Sequence, residues 1–253
     1  MAEVPRTVWD RPERGARGPA PERSRAQITA TAIELADEDG LSAVSMRQVA
    51  KRLGTGPASL YRYVSTRDEL LDLMADAVAG EIDLDVPSSG DPVEDLAALA
   101  GRAKQVHLRH PWLLDLPTEP TSGPRGMDYL ECALRALAPV SLSHPAQLET
   151  IGLLNGMVTL FARTELRRRK APTDPQHAHL SYLAGAATEE RHPFIVAALA
   201  NSPGAEAPQD THTLFERVVR RVLAGLIRSE DPLPPGPGPH RPHLDSTQAR
   251  ADR

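Results

Sequence analysis

The chain has 253 residues, of which 25% are charged and 40% hydrophobic, and a formal net charge of -5. That length holds one small and one larger domain, and that composition is ordinary for a globular protein. The single cysteine, Cys132, excludes an internal disulfide and fits a reducing, cytoplasmic setting; no apolar run approaches the ~20 residues that cross a bilayer, and the charged, Pro-rich start lacks the apolar stretch of a secretory signal.

Residues 1–23 alternate Pro, Arg, Glu and Gly without periodicity, which predicts a disordered arm. Ser24 with Gln27 forms a capping box for a helix carrying Ile28, Ala32, Leu35 and Ala36 and ending near Gly40. Ser45 with Gln48 opens a second helix at Met46, with Val49, Ala50 and Leu53 on its apolar face, and Gly54 stops it. Gly56-Pro57 restarts the chain, with Pro57 at the first helical position, where its missing N–H costs nothing. Leu60 and Val64, four residues apart, turn inward; Ser59, Arg62 and Tyr63 are left on the outer face, with Tyr61 near the boundary. Thr66 with Glu69 caps a longer helix through Leu70, Leu71, Met74 and Val78 to about Glu81. Three short helices around one apolar centre are close to the minimum that folds, so this module should lean on the helix that follows.

Residues 41–67 contain Arg47, Lys51, Arg52, Arg62 and Arg67 and no Asp or Glu, on a chain that is acidic as a whole. A local basic, acid-free patch is the footprint of a phosphate-facing surface, and two short helices around a Gly turn make it a helix-turn-helix.

Further along, Asp91, Pro92 and Glu94 open a helix that runs to His110. A helix over about 124–138 carries Met127, Leu130, Leu134 and Leu137, and Cys132 beside them reads as a small core residue. A long helix over about 143–170 carries Leu148, Ile151, Leu154, Val158, Phe161 and Ala162, and a last one over 210–228 carries Leu214, Val218, Val222 and Leu226. Loops fall near 85–90, 117–126, 171–175 and 202–209, and the Pro-rich tail 230–253 should be extended or mobile. No period-two pattern stands out, so the fold is expected to be all-α. The predicted organisation is a disordered arm 1–23, a DNA-binding domain 24–72, a larger helical domain 73–229 and the tail.

In this order and spacing the chain resembles the TetR family of bacterial transcriptional regulators. The resemblance is carried by Gly40-Leu41, by the run from Met46 to Gly54, by Ser59-Leu60-Tyr61-Arg62-Tyr63-Val64 and by Arg67-Asp68-Glu69-Leu70-Leu71. His110-Pro111-Trp112 and Glu190-Arg191-His192-Pro193 are similar to marks of the helical ligand-binding domain in the branch that contains the tetracycline repressor. The resemblance implies that Ser45, Arg47, Thr55, Pro57, Ala58, Ser59, Tyr61, Arg62, Tyr63 and Arg67 make the DNA face. Arg62 has the fork that reads guanine in the major groove, Tyr61 and Tyr63 suit phosphates, and Arg67 looks like a phosphate clamp. Arg14, Arg17, Arg23 and Arg25 are candidates for the neighbouring minor groove.

The resemblance also implies a homodimer on a palindromic double-stranded DNA operator and a cavity for a small-molecule effector. The dimer would pair the helices near 145–168 and 211–228, with Gly152 and Gly156 allowing close approach. Residues whose helical phase points to the centre of the larger domain are His107, Trp112, Met127, Leu130, Leu134, Leu154, Asn155, Met157, Val158 and Phe161, with Thr159 as a further polar candidate. No cofactor, metal or membrane is implied, and tetracycline recognition is not, because neither His107 nor His110 aligns with that repressor's metal-binding histidine. Gly54-Thr55-Gly56-Pro57-Ala58-Ser59 imitates a phosphate loop but follows a helix pattern rather than a strand. His177, His179 and His192 read as exposed loop histidines, and Arg167-Arg168-Arg169-Lys170 as a helix-end cation cluster. The alternatives are a constitutive DNA-binding regulator without ligand control and an all-helical enzyme; the latter requires a converging acid–base or nucleophile cluster that the sequence does not present.

Overall fold

The computed structural model describes residues 7–10, 24–85, 89–116, 123–170, 175–200 and 211–228. Among them are ten α-helices and no strand. Helix α1 (Arg25–Asp39) starts with the reciprocal cap the sequence predicts: the Gln27 amide donates to Ser24 Oγ and the Ser24 amide to Gln27 Oε1, both at 3.1 Å. Gly40, at φ 81°, ends it. Helix α2 (Met46–Arg52) takes its cap from Ser45, whose Oγ accepts from the Gln48 amide at 3.2 Å, and stops before Gly54 at φ 67°. Helix α3 (Pro57–Leu60) is a single turn, and the chain continues as a turn through Tyr63. Helix α4 (Arg67–Ala79) is capped by Thr66; the Glu69 carboxylate accepts from the Ser65 amide at 2.7 Å rather than from Thr66 itself.

The larger part consists of α5 (Pro92–Arg109), a short 3₁₀ turn (Pro111–Asp115), α6 (Pro124–Leu137), α7 (His144–Lys170), α8 (Pro175–Ala186), α9 (Pro193–Ala200) and α10 (Thr211–Arg228). Four of these fall where the apolar spacing puts them. Helices α8 and α9 do not follow from periodicity, because α9 (Pro-Phe-Ile-Val-Ala-Ala-Leu-Ala) is apolar on every face and so carries no stripe. His177 and His179 therefore lie on a helix, not in a loop.

Two apolar cores hold the chain. The first gathers Ile28, Ala32, Leu35, Val49, Ala50, Leu60, Val64, Leu70, Met74 and Val78, and is completed by Val106 and Trp112. The helix-turn-helix thus leans not only on α4, as its size requires, but also on the end of α5 and the turn after it. Val8 belongs to this core and Trp9 packs against it, so residues 7–10 depart from the expected disordered arm. The apolar Val-Trp pair explains this, in a segment that is otherwise polar. Residues 11–23, with Arg14, Arg17 and Arg23, and the tail 229–253 lie outside the described residues.

The second core joins α5, α6, α7 and α10 through Leu96, Leu99, Leu137, Ile151, Leu154, Val158, Phe215, Val219 and Leu223. On α10 the buried stripe is Phe215, Val219 and Leu223, one residue out of phase with the Leu214, Val218, Val222 and Leu226 stripe read from the sequence, whose members are half-buried. Phe215, the bulkiest side chain of that helix, takes the inner seat: its ring meets Phe161 edge-to-face at 5.3 Å, and Lys104 Nζ lies 4.8 Å from its centroid. Lys104 is fully buried and pairs with Glu165 at 2.9 Å.

Candidate DNA-binding face and ligand cavity

On the helix-turn-helix, Arg47, Gln48, Lys51, Pro57, Ala58, Tyr61 and Arg62 are exposed along one continuous stretch of α2, the turn and α3. Pro57 and Ala58 keep the start of α3 small. Ser59 is anchored to its own turn, with Oγ donating to the Gly56 carbonyl at 2.7 Å and sharing a 2.8 Å hydrogen bond with Thr55 Oγ1. Ser45 is half-buried and occupied as the α2 cap. These three hydroxyls are engaged within the motif, while Arg47, Lys51, Tyr61 and Arg62 stand on its exposed side.

Several residues differ from their sequence reading. The two tyrosines exchange places: Tyr61 is exposed, whereas Tyr63 is half-buried against the first core, with the Arg62 guanidinium 6.0 Å from its ring centroid. With α3 only one turn long, the chain bends at Tyr61 and the next two side chains rotate off the helical phase. Arg67 does not stand out as a clamp: its guanidinium donates to the carbonyls of Val44 and Leu41 at 3.1 and 3.2 Å and braces the loop between α1 and α2. Arg25 donates from Nε to the Tyr63 carbonyl at 3.1 Å, so it ties α1 to the end of the motif rather than reaching for a groove. Arg52 pairs with Glu38 of α1 at 2.5 Å. The net positive surface that faces outward is therefore narrower than the five bases of the sequence.

Between the two cores lies a cavity of about 440 Å³. Ala75, Val78 and Ala79 of α4 and Val106 of α5 face it from the side of the first core, Ala103 and Val158 from the side of the second, and Ile82 packs against both cores. Leu113, Leu114 and Leu116 close it at one end, and His107, Tyr129, Asn155, Thr159 and Arg163 supply its polar groups. A mostly apolar wall with a few convergent polar groups, at this volume, is what a drug-sized ligand site looks like. A second hollow of about 100 Å³ beside Leu84, Leu99 and Cys132 is too small for that role.

Four of the five polar groups of the cavity are neutral, Arg163 at its exposed edge being the cation, and several are held in place by hydrogen bonds. Burial lowers the affinity of His107 for a second proton, against a smaller opposing effect of its Ala103 contact; Nδ1 lies 3.0 Å from the Ala103 carbonyl, which fixes the proton there and leaves Nε2 as an acceptor. Burial, with a further push from Cys132, raises the Tyr129 phenol well above its usual range, and its hydroxyl donates to Asn155 Oδ1 at 2.8 Å. Thr159 Oγ1 donates to the Asn155 carbonyl at 3.1 Å, and Arg163 donates to the Leu114 carbonyl at 2.6 Å.

Of the ligand-lining residues read from the sequence, His107, Asn155, Val158 and the additional Thr159 line this cavity. The others do not. Trp112 is buried in the first core, with its indole on Asp37; Leu154 is fully buried in the second. Leu130, Leu134, Met157 and Phe161 pack against the second core, and Met127 is 58% exposed. Helical phase identified the inner faces of α6 and α7, but those faces fill the second core, while the cavity lies at its edge. The walls contributed by α4 and by Leu113, Leu114 and Leu116 were missed. Their signal was the small Ala75 and Ala79 one turn apart on α4, which leave room where a packed helix would carry bulk.

A helix-turn-helix on a helical body with a cleft between its two cores is the architecture of a DNA-binding regulator. The chain belongs to the TetR family: residues 28–74 match the N-terminal model of the bacterial regulatory proteins of that family, and residues 86–229 match the tetracyclin repressor-like C-terminal domain. It is 34% identical over 236 residues to the HTH-type transcriptional repressor DrrR1 of Streptomyces coeruleorubidus, an alignment that covers 89% of this chain and 85% of that one. Its fold is similar to that of apo ActR from Streptomyces coelicolor, with a TM-score of 0.68 at 29% identity over 83% of this chain and 97% of that one. The same ActR in complex with actinorhodin matches with a TM-score of 0.67 at 30% identity, over 80% of this chain and 95% of that one. The protein is a TetR-family DNA-binding transcriptional regulator and not an enzyme. No helix among the described residues is long and apolar enough to cross a membrane.

Proposed function

We propose that the protein is a homodimeric repressor that holds a palindromic operator and is released from it when a mostly apolar small molecule occupies the 440 Å³ cavity. The observation that carries this reading is the position of α4. One end of this helix is braced to the loop between α1 and α2 through Arg67, and its other end, from Ala75 to Ala79, is a wall of the cavity. A rod so placed turns a small shift at Val78 into a displacement of the DNA-facing turn. Arg47, Lys51, Tyr61 and Arg62 make the contacts, with Arg62 reading a base edge and the others positioning the motif on phosphates.

Dimerisation is supported by apolar surface that one copy leaves uncovered. On α7, Leu148, Leu153 and Leu160 are each more than half exposed, and Gly152 and Gly156 on the same face have open space where a Cβ would stand. The half-buried Leu214, Val218, Val222 and Leu226 edge of α10 and the 88% exposed Phe194 of α9 add to it. A regulator of this kind works beside the chromosome, in the cytoplasm. ActR has been solved with actinorhodin, which makes actinorhodin the first effector to try here.

The test begins with selection of bound fragments from the host's genomic DNA, followed by competition between the selected palindrome and a scrambled duplex at physiological salt. Equal affinity for the two overturns the operator reading. A titration of actinorhodin and related aromatic compounds, with and without operator, then reads release: an effector must bind free protein more tightly than operator-bound protein by the factor through which it weakens DNA binding.

A further inference from the structure

The segment from His107 to Leu116 meets two parts of the molecule at once. Leu113, Leu114 and Leu116 wall the cavity, while His110 and Trp112 reach the DNA-binding helices. His110, buried at the end of α5, has Nδ1 at 2.8 and 3.1 Å from the two carboxylate oxygens of Asp37 on α1. Its Nε2 lies 3.1 Å from Glu81, just beyond α4. Trp112 Nε1 donates to the same Asp37 at 2.8 Å, and Arg109 pairs with Glu81 at 3.1 Å. Asp37 from α1, Glu81 from the end of α4, Arg109 from α5 and the Trp112 N–H are the charged and donor groups that face the ring.

Carboxylates only accept, so both contacts of His110 are hydrogen bonds only when both ring nitrogens carry protons. The ring then stands as one positive charge between two negative ones, and with Arg109 the junction holds two charges of each sign. A neutral ring gives up one of its two carboxylates. Charge-assisted bonds in a buried setting are the strong and directional kind, so the ring sets the relative position of α1, α4 and α5.

We propose that this doubly protonated His110 bridge transmits cavity occupancy to the DNA-binding helices, an inference that rests on the release reading above. A molecule pressing on Leu113 and Leu114 moves the turn that carries Trp112, and His110 and Trp112 share Asp37. Asp37 sits three residues before Gly40, and the adjacent Glu38 holds Arg52 of α2, so a shift of this end of α1 passes directly to the helix-turn-helix. Glu81 fastens the far end of α4 to the same ring. The lever and this second route therefore share one residue.

The experiment uses the full chain and the variants H110Q, D37N and E81Q. Nitrogen-15 NMR of histidine-labelled protein at neutral pH, with H110Q assigning the resonance, should show both His110 nitrogens protonated; a neutral single tautomer overturns the bridge. Hydrogen exchange should quicken about tenfold or more in H110Q at the Gly40 amide, bonded to the Ala36 carbonyl, and at the Ile82 amide, bonded to that of Ala79. Unchanged exchange at both sites overturns it as well. Transmission is read with Thr159→Trp, which fills the cavity from its half-exposed edge and stands in for a bound molecule. Filling should weaken binding to the selected operator by about fivefold or more in the otherwise wild-type chain, the low end of typical coupling, and by less than half that factor in H110Q. An equal loss in both backgrounds refutes transmission through His110 alone. A wild type indifferent to filling refutes the release reading and transmission with it.

Discussion

Removing the carboxylate of Glu165 should destabilise the protein far more than removing the ion pair as a whole. Lys104 has no exposed surface, and besides the Phe215 ring its ammonium has Glu165 Oε2 at 2.9 Å. Burial pushes the Glu165 carboxyl up, but hydrogen bonds and charge from Lys104, and then from Arg169, outweigh it and hold the carboxyl below its ordinary range. Glu165→Gln leaves the ammonium buried and uncompensated, which costs about 3–5 kcal/mol. In a chain of this size that lowers the melting temperature by roughly 6–20 °C. Lys104→Met combined with Glu165→Gln puts an unbranched apolar side chain against Phe215 and should restore most of the loss, because a well-packed apolar replacement of a buried pair is close to neutral. Since the folded carboxyl has the lower proton affinity, its contribution is fully present above the unfolded value and is lost as pH falls through the folded one. The wild type should therefore lose stability more steeply than the double variant on acidification below about pH 5. Differential scanning calorimetry of the three proteins across acid and neutral pH reads both effects. A single Glu165→Gln variant as stable as the double one would refute the reasoning.

On the proposed DNA face, readers and braces should respond differently to removal. Arg62→Ala should relax preference at one base position of the selected operator, at a cost of about 1–3 kcal/mol, without changing the melting temperature. Arg67→Ala should instead lower the melting temperature and leave the salt slope of binding nearly unchanged, since its donors serve Val44 and Leu41; fluorescence anisotropy over a salt series distinguishes the two. A Cβ on Gly123 would run into the Trp9 ring and come within 2.6 Å of Asp76, so Gly123→Ala should displace the 7–10 segment and expose Trp9 to an aqueous quencher. Gly156→Glu puts a charge on the uncovered α7 face, and sedimentation should then report monomers that no longer hold the palindrome.

The helical framework was legible because its signals are local. Caps at Ser24, Ser45, Thr66 and Asp91 and stops at Gly40 and Gly54 act over three or four residues and set the helix ends where the spacing puts them, although only Ser24 has the reciprocal half of its capping box. The cavity was not legible, because a void at the seam of two cores is a property of how α4, α5 and α7 are set against each other, and no helix's own periodicity encodes it. Leu154 and Val158 look alike in phase, one turn apart on α7, yet only Val158 reaches the seam. The same limit explains Arg67 and Arg25. An arginine in a basic motif is read as facing phosphate, and the carbonyls of Leu41, Val44 and Tyr63 that claim these two become visible only once the helices are folded together.

The placement of the void also bears on how a switch is built. A cavity inside either core would loosen packing that holds one domain together, and its filling would be felt only there. At the seam, Val78 and Val106 belong to one core and Ala103 and Val158 to the other, so an occupant of the proposed ligand site would change the spacing between two bodies while leaving each intact. Close-packed cores deform little and move as units, so the displacement concentrates in what joins them: α4, the His110 junction and the turn that carries Trp112. A neutral acceptor at His107 Nε2 and a neutral phenol at Tyr129 would meet an apolar guest without an unpaired charge at those two positions, while the Arg163 cation lies at the exposed edge. The directional polar contacts stand elsewhere: Asp37–His110–Glu81 ties the end of α5 to α1 and to the segment after α4, and Lys104–Glu165 ties α5 to α7 inside the second core.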